Sequence, residues 1–143
     1  MKPSLQNRKI ELLAPAKDYD TAVDAIDCGA DAVYIGAGKF GARHSATNAV
    51  EDIARVAEYA HRYGVKVYAT LNTLLFDHEL EEAREQALAL IKAGVDALIV
   101  QDMAYREMGL PVELHASTQV CNMTPEGAKF LEDSGFTRVI LER

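Results

Sequence analysis

Cys28-Gly29-Ala30-Asp31-Ala32-Val33-Tyr34-Ile35 and Ala93-Gly94-Val95-Asp96-Ala97-Leu98-Ile99-Val100 follow one plan: a helical stretch ends on Gly, and an apolar strand begins two or three residues later. Gly suits the turn because the residue after a helix often takes the left-handed conformation, which a Cβ penalises. The plan recurs at Tyr63-Gly64-Val65-Lys66-Val67-Tyr68-Ala69, at Met108-Gly109-Leu110-Pro111-Val112-Glu113-Leu114 and at Ser134-Gly135-Phe136-Thr137-Arg138-Val139-Ile140-Leu141. A strand from Ile10 to Leu13, with no helix before it, opens the series. Six strands alternating with five helices imply parallel strands joined by crossover helices.

The helix starts are readable as well. The periodicity predicts a first helix from Tyr19 to Cys28, with Ala22, Val23, Ala25 and Ile26 toward the sheet. Asn48, with Glu51 three residues on, reads as a capping box ahead of Val50, Ile53, Ala54, Val56, Ala57 and Ala60. Asp77 is placed to cap a third helix whose apolar stripe is Leu80, Ala83, Ala87, Leu88 and Ile91. A fourth helix of one or two turns fits between Met103 and Met108. Thr124-Pro125 reads as N-cap and N1 of the fifth. Glu81, Glu82, Arg84 and Glu85 read as a solvated helix face.

An open doubly wound sheet and a closed eight-stranded barrel both contain this alternation. The run Arg138-Val139-Ile140-Leu141-Glu142-Arg143 ends on a strand with no helix after it, which favours a truncated (β/α) TIM-type barrel over a finished domain. The expected layout is a polar tail over residues 1–9, then the N-terminal part of the barrel over residues 10–143. Its first and last strands would lack neighbours, exposing Ile10, Leu12, Val139 and Leu141 and inviting a homo-oligomer through those edges.

Composition narrows the function classes. Apolar residues at 49% and charged residues at 26% are ordinary globular values. No apolar run approaches the ~20 residues that cross a bilayer, and Met1 to Lys9 holds no secretory h-region, so no membrane partner is expected. Cys28 and Cys121 lack a CxxC spacing, which suits a reduced, cytoplasmic chain. A net charge of -7 speaks against a broadly basic nucleic-acid surface but leaves room for a local one.

In either architecture ligands sit at the carboxyl ends of the strands. Those ends read Ala14-Pro15-Ala16-Lys17, Gly36 to His44, Asn72-Thr73, Gln101-Asp102, His115-Ala116-Ser117-Thr118-Gln119 and Glu142-Arg143. All but the first finish in polar residues, while the opposite ends are Gly-led turns. That asymmetry marks a binding rim. Lys17, Lys39, Arg43, Asn72, Gln101 and Gln119 are the expected substrate-binding residues.

Gly36-Ala37-Gly38-Lys39-Phe40-Gly41 matches GxGxxG, yet the capped helix starts only at Asn48 and the next strand ends in Asn72 rather than an acid, so a dinucleotide site is disfavoured. Phe40 after Lys39 also rules out a P-loop. Lys39, Arg43 and His44 are left either to hold an anion or to decorate a Gly-rich surface loop. His115 is a candidate general acid or base, with Ser117 positioning substrate; alternatively His115 and Thr118 satisfy each other inside the barrel. Asp102 is a candidate carboxylate, or a cap for the short helix after it. Alternation would send His115, Ser117 and Gln119 to one side of the fifth strand, with Asn72 and Gln101 as partners. No metal spacing appears among His44, His61 and His78.

Glu11-Leu12-Leu13-Ala14-Pro15-Ala16, Asp31-Ala32-Val33-Tyr34-Ile35-Gly36, Phe40 to Asn48, Val100-Gln101-Asp102, His115 to Gln119 and Arg138-Val139-Ile140-Leu141 together resemble the collagenase-like peptidase family, number thirty-two among peptidases of unknown catalytic type. The resemblance implies a collagenase-like protease acting on peptides, with His115, Ser117 and Asp102 as catalytic candidates. As an alternative it implies an enzyme of oxygen-independent tRNA or rRNA hydroxylation. Family hydroxylases carry a four-cysteine iron–sulfur site beyond the sixth strand, which Cys28 and Cys121 do not match. No cofactor is therefore expected in this chain, and the cluster is expected in a full-length parent. Lys17 and His44-Ser45-Ala46-Thr47 depart from the family pattern. The parent reads as an enzyme; this part alone reads as an inactive α/β module.

Overall fold

The alternation read from the sequence builds one curved sheet in a computed structural model that describes residues 10–42 and 48–142. The strands are β1 (Leu13–Ala16), β2 (Ala32–Gly36), β3 (Lys66–Leu71), β4 (Ala97–Val100), β5 (Glu113–Ala116) and β6 (Arg138–Val139). Between them run α1 (Tyr19–Asp27), α2 (Val50–Arg62), α3 (Leu80–Lys92), α4 (Ala104–Glu107) and α5 (Pro125–Asp133). All strands are parallel and lie in sequence order from β1 to β6, forming a half-barrel.

The in-register pairing creates two faces. Val33, Ile35, Val67, Ala69, Leu71, Leu98, Val100, Leu114 and Ala116 turn outward and pack with Ile26, Ile53, Val56, Leu90 and Leu131 of the helices into the main core. The alternate residues Ala32, Tyr68, Ala97 and Ile99, with Leu13, Tyr34 and Ile140, form a smaller inner core.

A repeated side chain fixes the feet of the strands. Asp31 and Asp96 each stand two residues after a left-handed glycine, Gly29 at φ 97° and Gly94 at φ 100°. Each carboxylate reaches back to the preceding strand: Asp31 Oδ2 accepts from Leu12 N at 2.8 Å, and Asp96 Oδ2 from Val67 N at 2.8 Å. His61 Nε2 also meets Asp96 Oδ2 at 3.0 Å. Thr137 holds the same place in the last repeat, its N–H donating to Leu114 O at 3.0 Å.

Several expected boundaries move, each for a local reason. The first strand is β1 at Leu13–Ala16 rather than Ile10 to Leu13, because the β2 ladder begins only at Ala32, opposite Leu13. Ile10 (88% exposed) and Leu12 (58%) consequently lie open at its foot; Leu141, past the carboxyl end of β6, is exposed as well, whereas Val139 is half-buried. Asn48 is not a cap: its amide donates to Lys17 O at 2.9 Å and Gly36 O at 3.0 Å, and Ala49 starts α2 without a side-chain bond. Asp77 opens a 3-10 turn, Asp77–Glu79, and it is Glu79 Oε2 that accepts from Phe76 N at 3.1 Å. Thr124 does cap α5, accepting from Gly127 N at 3.1 Å with Pro125 at N1. Asp18, which the periodicity does not single out, caps α1 by accepting from Thr21 N at 3.0 Å.

Removing the Asp96 carboxylate leaves Val67 N without its charged acceptor, and hydrogen bonds to charged groups contribute about 1–3 kcal/mol. Asp96→Ala is expected to lose about that much stability in chemical denaturation, and Asp96→Asn, which keeps an acceptor, clearly less. Equal losses in both variants would contradict this role.

Candidate functional site

The carboxyl ends of the strands surround a cavity of about 730 Å³. Leu13, Pro15, Tyr34, Ile99 and Ile140 line its apolar depth, and Lys17, Thr21, Thr70, Asn72, Ser117, Thr118 and Gln119 its polar rim. Among the described residues, Lys17 is the one charged side chain of that lining, and no carboxylate belongs to it.

Strand five is shorter than the expected run, and Thr118, expected on the other side, lines the cavity beside Ser117 and Gln119. It ends at Ala116, and Ser117 caps a 3-10 turn, Thr118–Val120. Ser117 is buried; its Oγ accepts from Gln119 N at 3.2 Å and from Asn72 Nδ2 at 3.4 Å. Asn72 Oδ1 in turn accepts from Ala42 N at 3.0 Å. The expected pairing of Asn72 with strand five therefore exists, through Ser117. Gln101 instead donates to the Gln119 carbonyl at 3.2 Å. Cys121 follows in the left-handed region at φ 61°.

The catalytic trio expected from the sequence is not joined by hydrogen bonds. Asp102 lies outside the cavity lining, with Oδ2 accepting from Leu75 N at 2.9 Å and Oδ1 from Ala104 N at 2.8 Å, so it holds the first N–H of α4 and pins a loop. Ser117 Oγ touches two amides and no base. His115 sits one residue pair lower, with Tyr68 edge-on at 4.8 Å between ring centroids. Lys39 stands outside the cavity too, held by Glu82 at 2.9 Å and Glu79 at 3.4 Å. Arg43 and His44 lie outside the described residues. The GxGxxG loop has a structural reason: at Gly38 (φ 53°) a Cβ would fall 2.0 Å from Gln86 Nε2, which donates to Ala37 O at 3.0 Å.

Below the cavity lies a polar group that sequence reading missed. Arg138 of β6 makes a double contact with Glu11, the second leg at 3.3 Å, and Tyr68 O–H donates to Glu11 at 2.9 Å. The Arg138 guanidinium also stands over the Tyr68 ring at 5.2 Å. Arg138 holds Glu11 below the usual carboxylate range, while burial and the Glu11 hydrogen bond push Tyr68 up to about 12. The inward parity of Glu11, Tyr68, His115 and Arg138 was the available signal. Two side-chain amides tie the rim together: buried Asn122 donates to Ser117 O at 2.9 Å and Ile140 O at 3.1 Å, and half-buried Asn48 bridges the ends of β1 and β2 in the same way.

No group of three or more His, Cys, Asp or Glu able to hold a metal occurs among the described residues. Cys28 ends α1 at the feet of the strands and Cys121 lies at the mouth, so the two thiols do not fit as a cluster site. No helix among the described residues is long and apolar enough to cross a membrane.

Comparison with known proteins gives the lineage. The model of peptidase family U32 matches residues 17–143. The chain belongs to peptidase family U32. It is 53% identical over 141 residues, 98% of its length, to the 23S rRNA 5-hydroxycytidine C2501 synthase of Escherichia coli (strain K12). It is 36% identical over 141 residues, 95% of its length, to tRNA hydroxylation protein P1 of Bacillus subtilis (strain 168). The chain spans 22% and 33% of those two proteins. The U32 peptidase Mk0906 shares its fold at a TM-score of 0.75 and 15% identity, over 97% of this chain and 64% of that one.

His115 supplies a pH test. Burial first, then the Arg138 charge, lowers its pKa against the opposing pull of Glu113 at 3.6 Å. The unfolded chain takes up a proton as pH falls through about 6.5, whereas folded His115 stays neutral to lower pH. Stability therefore falls on acidification from about pH 7, beginning at the unfolded value. Glu11, with its depressed pKa, adds its own loss only in the acid range. Thermal midpoints at pH 7.5 and 5.5 should differ less in His115→Phe than in the wild type; an unchanged gap would show that His115 titrates alike in the folded and unfolded chain and would contradict the burial effect.

Proposed function

We propose that this chain forms the front of the substrate barrel in an RNA-hydroxylating enzyme, and that its mouth cavity receives a nucleobase. The observation that carries this reading is the 53% identity, spread over 98% of the chain, with an rRNA hydroxycytidine synthase. The cavity chemistry supports it. A base is a flat apolar ring edged by neutral donors and acceptors; the cavity offers Tyr34, Ile99 and Ile140 below and Thr70, Asn72, Ser117 and Gln119 at the rim. Its volume lies within the range of about 300–1,000 Å³ for small-ligand sites.

Peptide hydrolysis, the leading expectation from the sequence, has less support. A protease of the serine type needs a nucleophile bonded to a base, and Ser117 Oγ is engaged by Asn72 and Gln119 instead. In the hydroxylation reading Lys17, Asn72, Ser117 and Gln119 bind and orient the base, and His115 is a structural support beneath them. The iron–sulfur cluster implied by the resemblance belongs to segments outside this chain, and the site of action is cytoplasmic. Self-association through the unpaired edges of β1 and β6 belongs to the same proposal, and light scattering reads it directly.

Deleting the parent's gene and measuring ribosomal and transfer RNA nucleosides by mass spectrometry tests the reading. A hydroxylated pyrimidine should disappear, return with the wild-type gene, and return to less than about a tenth with Asn72→Ala. Unchanged RNA together with loss of a peptidase activity would overturn it.

A further inference from the structure

The loop after β3 leaves the cavity at Asn72 and is fixed at three points. Thr73 Oγ1 donates to Phe40 O at 3.1 Å, Leu75 N to Asp102 Oδ2 at 2.9 Å, and Phe76 N to Glu79 Oε2 at 3.1 Å. This anchored backbone nevertheless presents Leu74 at 67% and Phe76 at 71% exposure to solvent. The Phe76 ring lies nearly parallel to the His78 imidazole, at 10° and 5.9 Å between centroids. A fixed loop that holds a flat ring in water, beside a ligand cavity, is preorganised for a flat partner.

We propose that Phe76, with His78 beside it, is a stacking platform for an unpaired RNA base next to the nucleotide whose base enters the cavity. The proposal rests on the RNA reading above. Aromatic rings stack on any base, whatever its sequence. Charge near the loop sets how the strand must lie. Asp77 and Glu81 are exposed here, and Lys39 is already engaged by Glu79 and Glu82. This side of the mouth repels phosphates, so the strand turns its bases toward Phe76 and its backbone away. A protein partner fits less well, since two exposed apolar side chains are far short of the roughly 800 Å² per partner that a stable interface covers.

The chain contains no tryptophan, so Phe76→Trp creates a single indole reporter at the platform. Titration with a short mixed-sequence single-stranded RNA should quench it saturably. Phe130→Trp, on the outer surface of α5 and 65% exposed at Phe130, should show no saturable quenching. Phe76→Ala should weaken binding of a fluorescein-labelled RNA about tenfold by anisotropy. Quenching of neither reporter, equal quenching of both, or unaltered affinity in Phe76→Ala overturns the platform, even where the parent hydroxylates RNA. Quenching confined to position 76 upholds it, even where deletion of the parent's gene leaves RNA unchanged and the hydroxylation reading fails.

Discussion

In a parallel sheet paired without slippage, residues of the same parity face the same side, and a slip of one residue would exchange the faces. Here that constraint decides the molecule's chemistry. Val33, Val67, Leu98 and Leu114 are sent to the helices, and Ala32, Tyr68, Ala97 and His115 to the interior. One step higher, the same parity delivers Tyr34, Thr70, Ile99 and Ser117 to the cavity. Asp31 and Asp96 reinforce the register at its feet, because each carboxylate accepts from the neighbouring strand only in one alignment.

The rim depends on ties that have no place in a regular ladder. Asn48 joins the tips of β1 and β2, and Asn122 joins β5 to β6, each through two backbone carbonyls. The 3-10 turn at Thr118–Val120 folds Gln119 over the mouth, and Asn72 reaches across to Ser117. At the foot, Glu11 and Arg138 link segments 127 residues apart. An exposed ion pair contributes little; this one is partly buried, gains a second hydrogen bond and orders Tyr68 between its members.

Sequence periodicity and the Gly-led turns made the strand order, the helix faces and the polar end of the barrel legible before any coordinates. Lys17, Asn72, Ser117 and Gln119 could be placed at the mouth cavity from the sequence, because they fall at strand carboxyl ends, which in a parallel sheet gather at one end. What escaped was decided by contacts distant in sequence. Asn48 looked like a helix cap because its local spacing fits one, yet two carbonyls from other strands claim its amide. Asp102 looked catalytic because a carboxylate at a strand tip is unsatisfied in isolation, while the fold supplies two backbone N–H groups. Lys39 looked like an anion ligand until α3 brought Glu79 and Glu82 beside it.

The central claim is that the mouth cavity holds a nucleobase through its rim amides and hydroxyls. Backbone amide chemical shifts of the labelled chain, followed during titration with cytidine and separately with a collagen-like peptide, test it most directly. The account predicts that cytidine shifts the signals of Thr70, Asn72 and Ser117 to Gln119 and leaves those of Asp31, Asp96 and Thr137 in place, while the peptide shifts neither set. Shifts caused by the peptide at the mouth, with cytidine inert, would contradict it.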